Sequence, residues 1–167
     1  MWRDSMAKAA ASEESSQQDG NGNTEKAAGL ISSASKWSAA AGFIPVPYVD
    51  LAALAAVQVK MVNEIAELYG TSATNEWVRT TVSTLLGTLV GAGLAVPLAA
   101  STAKLVPVLG SVAGGIGMGL SGAASTYAVG KVFVNHFENG GTLEDFSVEA
   151  VKEGLKSAYQ EKTGSNK

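Results

Sequence analysis

From Thr80 to Ala103 the chain carries no charged side chain, and after Lys104 none returns until Lys131. No other feature limits the fold so strongly. A helix needs ~20 residues to cross a hydrocarbon core, and each of these stretches is long enough to do so. Lys104, followed by Leu105-Val106-Pro107, is the natural place for the chain to turn back. The expected centre of the protein is therefore an apolar helical hairpin over about 80–130. It is built either for a membrane or for tight helix packing.

Glycine costs a helix ~1 kcal/mol relative to alanine, so a glycine-rich helix needs a compensating reason. Gly87, Gly91 and Ala95 form one four-residue ladder, Gly115, Gly119 and Ala123 a second, and Gly110 with Gly114 a third. Small residues four apart make a flat face that another helix can approach closely. Gly87, Gly91, Gly110, Gly114, Gly115 and Gly119 are accordingly the expected helix-packing and self-association residues, with the two arms of the hairpin packed on each other. Ser and Thr are frequent in the arms and Pro97 interrupts the first. Central Leu or Val gains only ~0.3–0.6 kcal/mol on insertion, so the preference for lipid over a buried protein contact is small. If the hairpin inserts, Arg79 and Lys131 at its open end favour keeping both termini in the cytoplasm.

The flanks read as helices with polar ends. Residues 1–24 are rich in Ser, Gln, Gly and acidic groups and bury too little to offset ordering entropy, so a disordered tail is expected. One domain then spans 25–162, followed by a frayed end at 163–167. A first helix from Glu25 to about Ala41 buries Leu30, Ile31, Ala34 and Trp37. Pro45 and Pro47 break it, because residues before proline are pushed to extended backbone. A second helix runs from Pro47 to Tyr69 with Gly70 as its stop. Leu54, Val57, Met61, Ile65 and Leu68 make its apolar stripe, leaving Gln58, Lys60, Asn63, Glu64 and Glu67 mostly off it. Thr74 caps a third helix, with Glu76 at its positive end. Thr142 and Asp145 form a capping box for a last helix from Leu143 to about Glu161, with Phe146, Ala150, Val151, Leu155 and Tyr159 on one side.

Several chemistries are excluded or weakly signalled. There is no cysteine, which removes disulfides and thiolate sites. The net charge is −3, and no basic field offers itself to nucleic acid. His136 is the single histidine; with no nucleophile or second ligand at useful spacing it reads as a structural residue at the hairpin base. Gly117-Met118-Gly119-Leu120-Ser121-Gly122 matches the dinucleotide pattern literally, yet the strands and helices that give the pattern meaning are missing upstream. Ser125 to Lys131 lacks the leading glycine and following Ser/Thr of a phosphate loop. Asp50 is well placed for a helix N-terminus. No cofactor, metal or catalytic residue is expected. The start lacks the apolar core of a secretory signal, so the expected address is the cytoplasm or the inner membrane of a bacterium.

Several blocks resemble a known family. The run Ala41-Gly42-Phe43-Ile44-Pro45-Val46-Pro47-Tyr48-Val49-Asp50-Leu51 is one, followed by Gln58-Val59-Lys60-Met61 and Leu68-Tyr69-Gly70. Lys104 to Gly110, Ser125 to Lys131 and Phe137-Glu138-Asn139-Gly140-Gly141 follow in order. Together, over about Glu25 to Thr142, they resemble the YcjF-like domain-of-unknown-function family associated with Era-like small GTPases and bacterial membranes. The resemblance implies an all-α, membrane-associated module without catalytic residues. Lacking a GTPase domain, the chain would meet a small GTPase only in trans. The expectation is thus a non-enzymatic helical bundle around a Gly/Ala-rich hairpin. Membrane lipid and copies of itself are the expected partners, and Trp37, Phe43 and Tyr48 stand at the membrane interface, where aromatic rings are favoured. The alternative is a soluble scaffold that buries the hairpin at the subunit contacts of a large homo-oligomer.

Overall fold

The protein is described by a computed structural model over residues 2–41, 49–93 and 109–164, with side chains over 20–41, 52–93 and 119–164. The architecture is all-α. Helix α1 spans Trp2–Ala41, α2 Val49–Leu68, α3 Asn75–Gly91, α4 Leu109–Glu138 and α5 Val148–Thr163. Helical backbone thus begins well before Glu25. Among the described side chains of α1, Ala27 is the first to be deeply buried, so packing starts close to Glu25.

The helix ends follow from local chemistry. Thr74 Oγ1 accepts from the Trp77 backbone N–H at 3.2 Å, which starts α3 as expected. Gly70 takes a φ of +76°, which only glycine adopts without strain, and Thr71 N–H returns to the Ala66 carbonyl at 2.9 Å to close α2. The last helix starts later than the capping-box signal indicated. Ser147, not Thr142, is its N-cap, with Ser147 Oγ accepting from the Ala150 N–H. Asp145 does accept from the Thr142 N–H and hydroxyl, but it closes a turn ahead of the helix.

One core joins all five helices. Met61 and Ile65 of α2, Val78, Val82, Leu85 and Leu89 of α3, Val129 and Phe133 of α4, and Leu155 of α5 are excluded from water. Burying one such side chain contributes ~1.5–3 kcal/mol. At one end Phe133 stacks on Phe146 at a centroid distance of 4.3 Å, with Trp77 edge-on to both.

The packing order corrects the expected hairpin. Among the described residues α4 packs chiefly against α1 and α5, and its contact with α3 is minor. The two glycine-bearing arms are therefore not each other's main partners. α3 ends at Gly91, with Gly93 at a φ of +70° just beyond it, so the uncharged run from Thr80 is not one continuous helix. Among the described residues no helix is long and apolar enough to cross a membrane, and the expected transmembrane helix is not found there. α3 stops at 17 residues, short of the ~20 that spanning requires, and in α4 repeated Gly and Ser dilute the Leu, Ile and Val.

Two side chains also differ from expectation. Gln58, off the apolar stripe of α2, is nonetheless fully buried, and Trp37, expected both on the buried side of α1 and at a membrane interface, is 68% exposed.

Candidate functional site

Three surfaces carry the expected site residues or an unexpected arrangement. The first is the outer face of α3. Gly87 and Gly91 are exposed there, with open space within 4 Å of where a side chain would stand. Thr84 and Thr88 lie on the same helix and turn their hydroxyls back onto the carbonyls of Thr80 and Thr84, at 2.9 and 3.0 Å. Their hydroxyl donors are satisfied within the helix. The result is a flat, small-residue face with no local demand for a partner's hydrogen bonds.

The second is the seam between α1 and α4. A methyl built on Gly119 would stand 2.9 Å from the Ala39 carbonyl oxygen, and one on Gly122 would stand 3.0 Å from that of Ser38. On Gly130 it would meet Ile31 at 2.5 Å. The literal G-x-G-x-x-G therefore sits inside a helix, and two of its glycines admit the α1 backbone. That disposes of a phosphate cradle, which needs a strand-to-helix turn. Gly122 was not singled out for packing, although it lies three residues after Gly119 on the same face. Gly110, Gly114 and Gly115 belong to the backbone of α4, but their surroundings lie outside the described residues, as do Phe43 and Tyr48.

Below this seam lies a polar cluster. Ser38 Oγ and Thr126 Oγ1 are 2.7 Å apart, and Gln58 Nε2 donates to Thr126 Oγ1 at 3.1 Å and more weakly toward Ser125 Oγ at 3.4 Å. All four residues are essentially excluded from water. Gln58 Oε1 and Ser35 Oγ have no hydrogen-bond partner among the described residues. The burial of Gln58 was legible in principle, since it falls four residues after Leu54 and three before Met61.

The third is a groove of about 490 Å³ whose floor is α4 and whose main wall is α1, with Lys162 of α5 on its rim. Lys36 and Lys131 join Lys162 there. Lys131 donates to Glu161 at 2.7 Å and to the Tyr127 hydroxyl at 3.3 Å. Those bonds hold its ammonium above the ordinary lysine range and hold the Glu161 carboxyl below its own. Lys131 and Lys162 both stand over the Tyr127 ring, at 5.4 and 5.2 Å from its centroid. At the far end Glu138 accepts from Thr24 at 2.5 Å and from the Tyr69 hydroxyl at 3.2 Å. Burial and the Glu138 charge push the Tyr69 phenol up. None of these residues was marked as a site from sequence.

His136 is structural in its geometry. Its Nε2 lies 2.7 Å from the Thr142 carbonyl and 3.1 Å from Asp145 Oδ1; a carbonyl can only accept, so Nε2 carries a proton. The Thr142 N–H and hydroxyl, with His136, hold the Asp145 carboxyl below its usual range. Among the described residues no group of three His, Cys, Asp or Glu is placed to hold a metal.

These features define an all-α, glycine-seamed helical domain with an open small-residue face and a lysine-rimmed groove. Residues 6–164 match the family described as domain of unknown function DUF697, and the chain belongs to that family. It is also similar to magnetosome membrane protein 22 of Magnetospirillum gryphiswaldense, with 32% identity over 121 residues, covering 72% of this chain and 62% of that protein. The chain thus spans less than two thirds of that relative's length. No solved structure matches it.

Proposed function

We propose that this chain is a non-enzymatic helical module that works at a membrane and associates with copies of itself through the outer face of α3. The carrying observation is the 32% identity, over 72% of the chain, to a protein named for a membrane. The hairpin at about 80–130, whose uncharged runs are broken only by Lys104, is the segment proposed to dock in or on the bilayer on composition. Trp37 stands exposed, as an interfacial anchor would. Gly87 and Gly91 leave room for a second helix at close range. The address is the bacterial inner membrane, or the cytoplasm with membrane association. A small GTPase acting in trans belongs to the proposal on the resemblance noted from sequence.

The soluble scaffold remains the competing reading, and the open α3 face favours it equally, since small-residue faces also join subunits in water. Flotation of the full-length chain with liposomes, under high-salt and alkaline washes, separates the two. Retention through both washes supports an embedded segment. A defined large particle left in the soluble fraction overturns the membrane reading and leaves the scaffold. In either case Gly91→Leu should reduce particle size, while Glu67→Gln on the wet face of α2 should not. Equal sizes for both variants would remove the α3 face from the account.

A further inference from the structure

The groove between α1 and α4 has no role in the reading above, and its construction is specific. Along α1 it runs from Thr24 to Ala39, roughly 22 Å at ~1.5 Å per residue. That exceeds the ~15 Å available to a chain in one leaflet, half of a ~30 Å hydrocarbon core. Its volume of about 490 Å³ lies within the ~300–1,000 Å³ of small-molecule sites. Ala28, Ile31, Ala39, Ala123 and Val134 give it a hydrocarbon lining.

Its polar groups are equally particular. Lys36, Lys131 and Lys162 come from three helices and line the same groove, in a chain whose net charge is −3. Lys131 pairs with Glu161 at 2.7 Å, and Lys131 and Lys162 both stand over the Tyr127 ring. The one carboxylate among the lining residues, Glu138, is engaged by Thr24 and Tyr69 at the opposite end. Ser35 lines the groove beside Lys36, and its residue is 8% exposed. Its hydroxyl is closed off from solvent and has no partner among the described residues. A buried hydroxyl without an acceptor is costly unless a ligand supplies one. A χ1 rotation of Ser35 into the groove would let an acid group there supply one.

We propose that this groove binds one single-chain anionic amphiphile, of the fatty-acid or lysophospholipid class. Its acid group sits among Ser35, Lys36, Lys131 and Lys162, and its chain lies along the apolar floor. Tyr127 gathers two of the lysines over its ring and so fixes where the charge is met. A second copy of this chain is a poor occupant, because an isologous contact would set these lysines against their own counterparts. The inference stands on the groove alone; the membrane reading bears only on where the amphiphile comes from.

The test uses the full-length chain and oleoyl lysophosphatidylglycerol below its critical micelle concentration, followed by titration calorimetry and native mass spectrometry. One bound molecule per chain is expected, with oleyl alcohol bound about tenfold more weakly or worse for want of the acid. Ala28→Trp should fill the groove, and the pair Lys36→Glu and Lys162→Glu should reverse its rim. Each should weaken binding by about tenfold or more while leaving thermal unfolding in place, since these side chains are exposed. Absence of saturable binding, several molecules per chain, or equal affinity for the alcohol or for Ala28→Trp would overturn the proposal. So would a change in oligomer size for Ala28→Trp with amphiphile binding intact, which would assign the groove to protein. Flotation with phosphatidylglycerol vesicles separates this inference from the membrane reading. Monomer binding without flotation upholds the groove and removes the membrane, whereas flotation without monomer binding does the reverse.

Discussion

Two glycine-to-alanine substitutions in similar helices should move stability in opposite directions. Gly87→Ala places a methyl into open space on the outer face of α3. It gains the helix propensity that glycine lacks, ~1 kcal/mol. Gly119→Ala gains the same term, but its methyl arrives 2.9 Å from the Ala39 carbonyl oxygen. That oxygen belongs to the backbone of α1 and cannot rotate aside, so the two helices must separate. Overpacking of this kind costs ~1–3 kcal/mol. The propensity gain is common to both variants and cancels in their difference, leaving Gly119→Ala less stable than Gly87→Ala by ~1–3 kcal/mol. At ~2–4 °C per kcal/mol for a chain of this size, the two midpoints should differ by several degrees. Thermal unfolding followed by far-ultraviolet circular dichroism on dilute samples reads the difference directly. If both variants rise together, the α1–α4 seam is not set by the absence of a side chain at Gly119, and the packing argument fails.

Two further outcomes follow from buried and titrating groups. Gln58→Met removes a buried carbonyl that lacks a partner, a penalty of ~1–3 kcal/mol, while Ser38 and Thr126 keep their mutual bond. Its denaturant midpoint should match or exceed the wild-type value, and a loss above ~1 kcal/mol would show that the amide is structurally required. Asp145 has a folded pKa held below the ordinary ~3.9 by the Thr142 N–H and hydroxyl and by His136. Its contribution is therefore present above the unfolded value and is lost as pH falls through the lowered folded value. The stability gap between wild type and Asp145→Asn, measured by urea unfolding from neutral to acid pH, should close as the carboxyl protonates. A gap that holds constant into acid would place that stabilisation elsewhere.

Much of the local structure was legible in the chain. Thr74 as a cap, Gly70 as a stop and the stripe of Leu54, Met61 and Ile65 rest on residues within a turn or two of each other. Such short-range chemistry depends little on the rest of the fold. The capping box at Thr142 shows where this reasoning stops. Its hydrogen bonds form as expected, but Ser147 offers a second cap, and the contact of Phe146 with Phe133 holds the intervening turn against α4.

The sequence by itself determined that the protein is helical, that small residues recur four apart in its central stretches, and that no cysteine chemistry is available. Only the tertiary structure decided that Gly119 and Gly122 admit α1 while Gly87 and Gly91 stand open. Periodicity marks a flat face but not its partner, and α4 took α1 and α5 where chain connectivity pointed to α3. The same holds for the groove. Lys36, Lys131 and Lys162 share no sequence window, and Ile31 meets Gly130 across most of the domain. Their convergence is set by the packing angles of three helices, which are fixed by the whole core and not by any one segment.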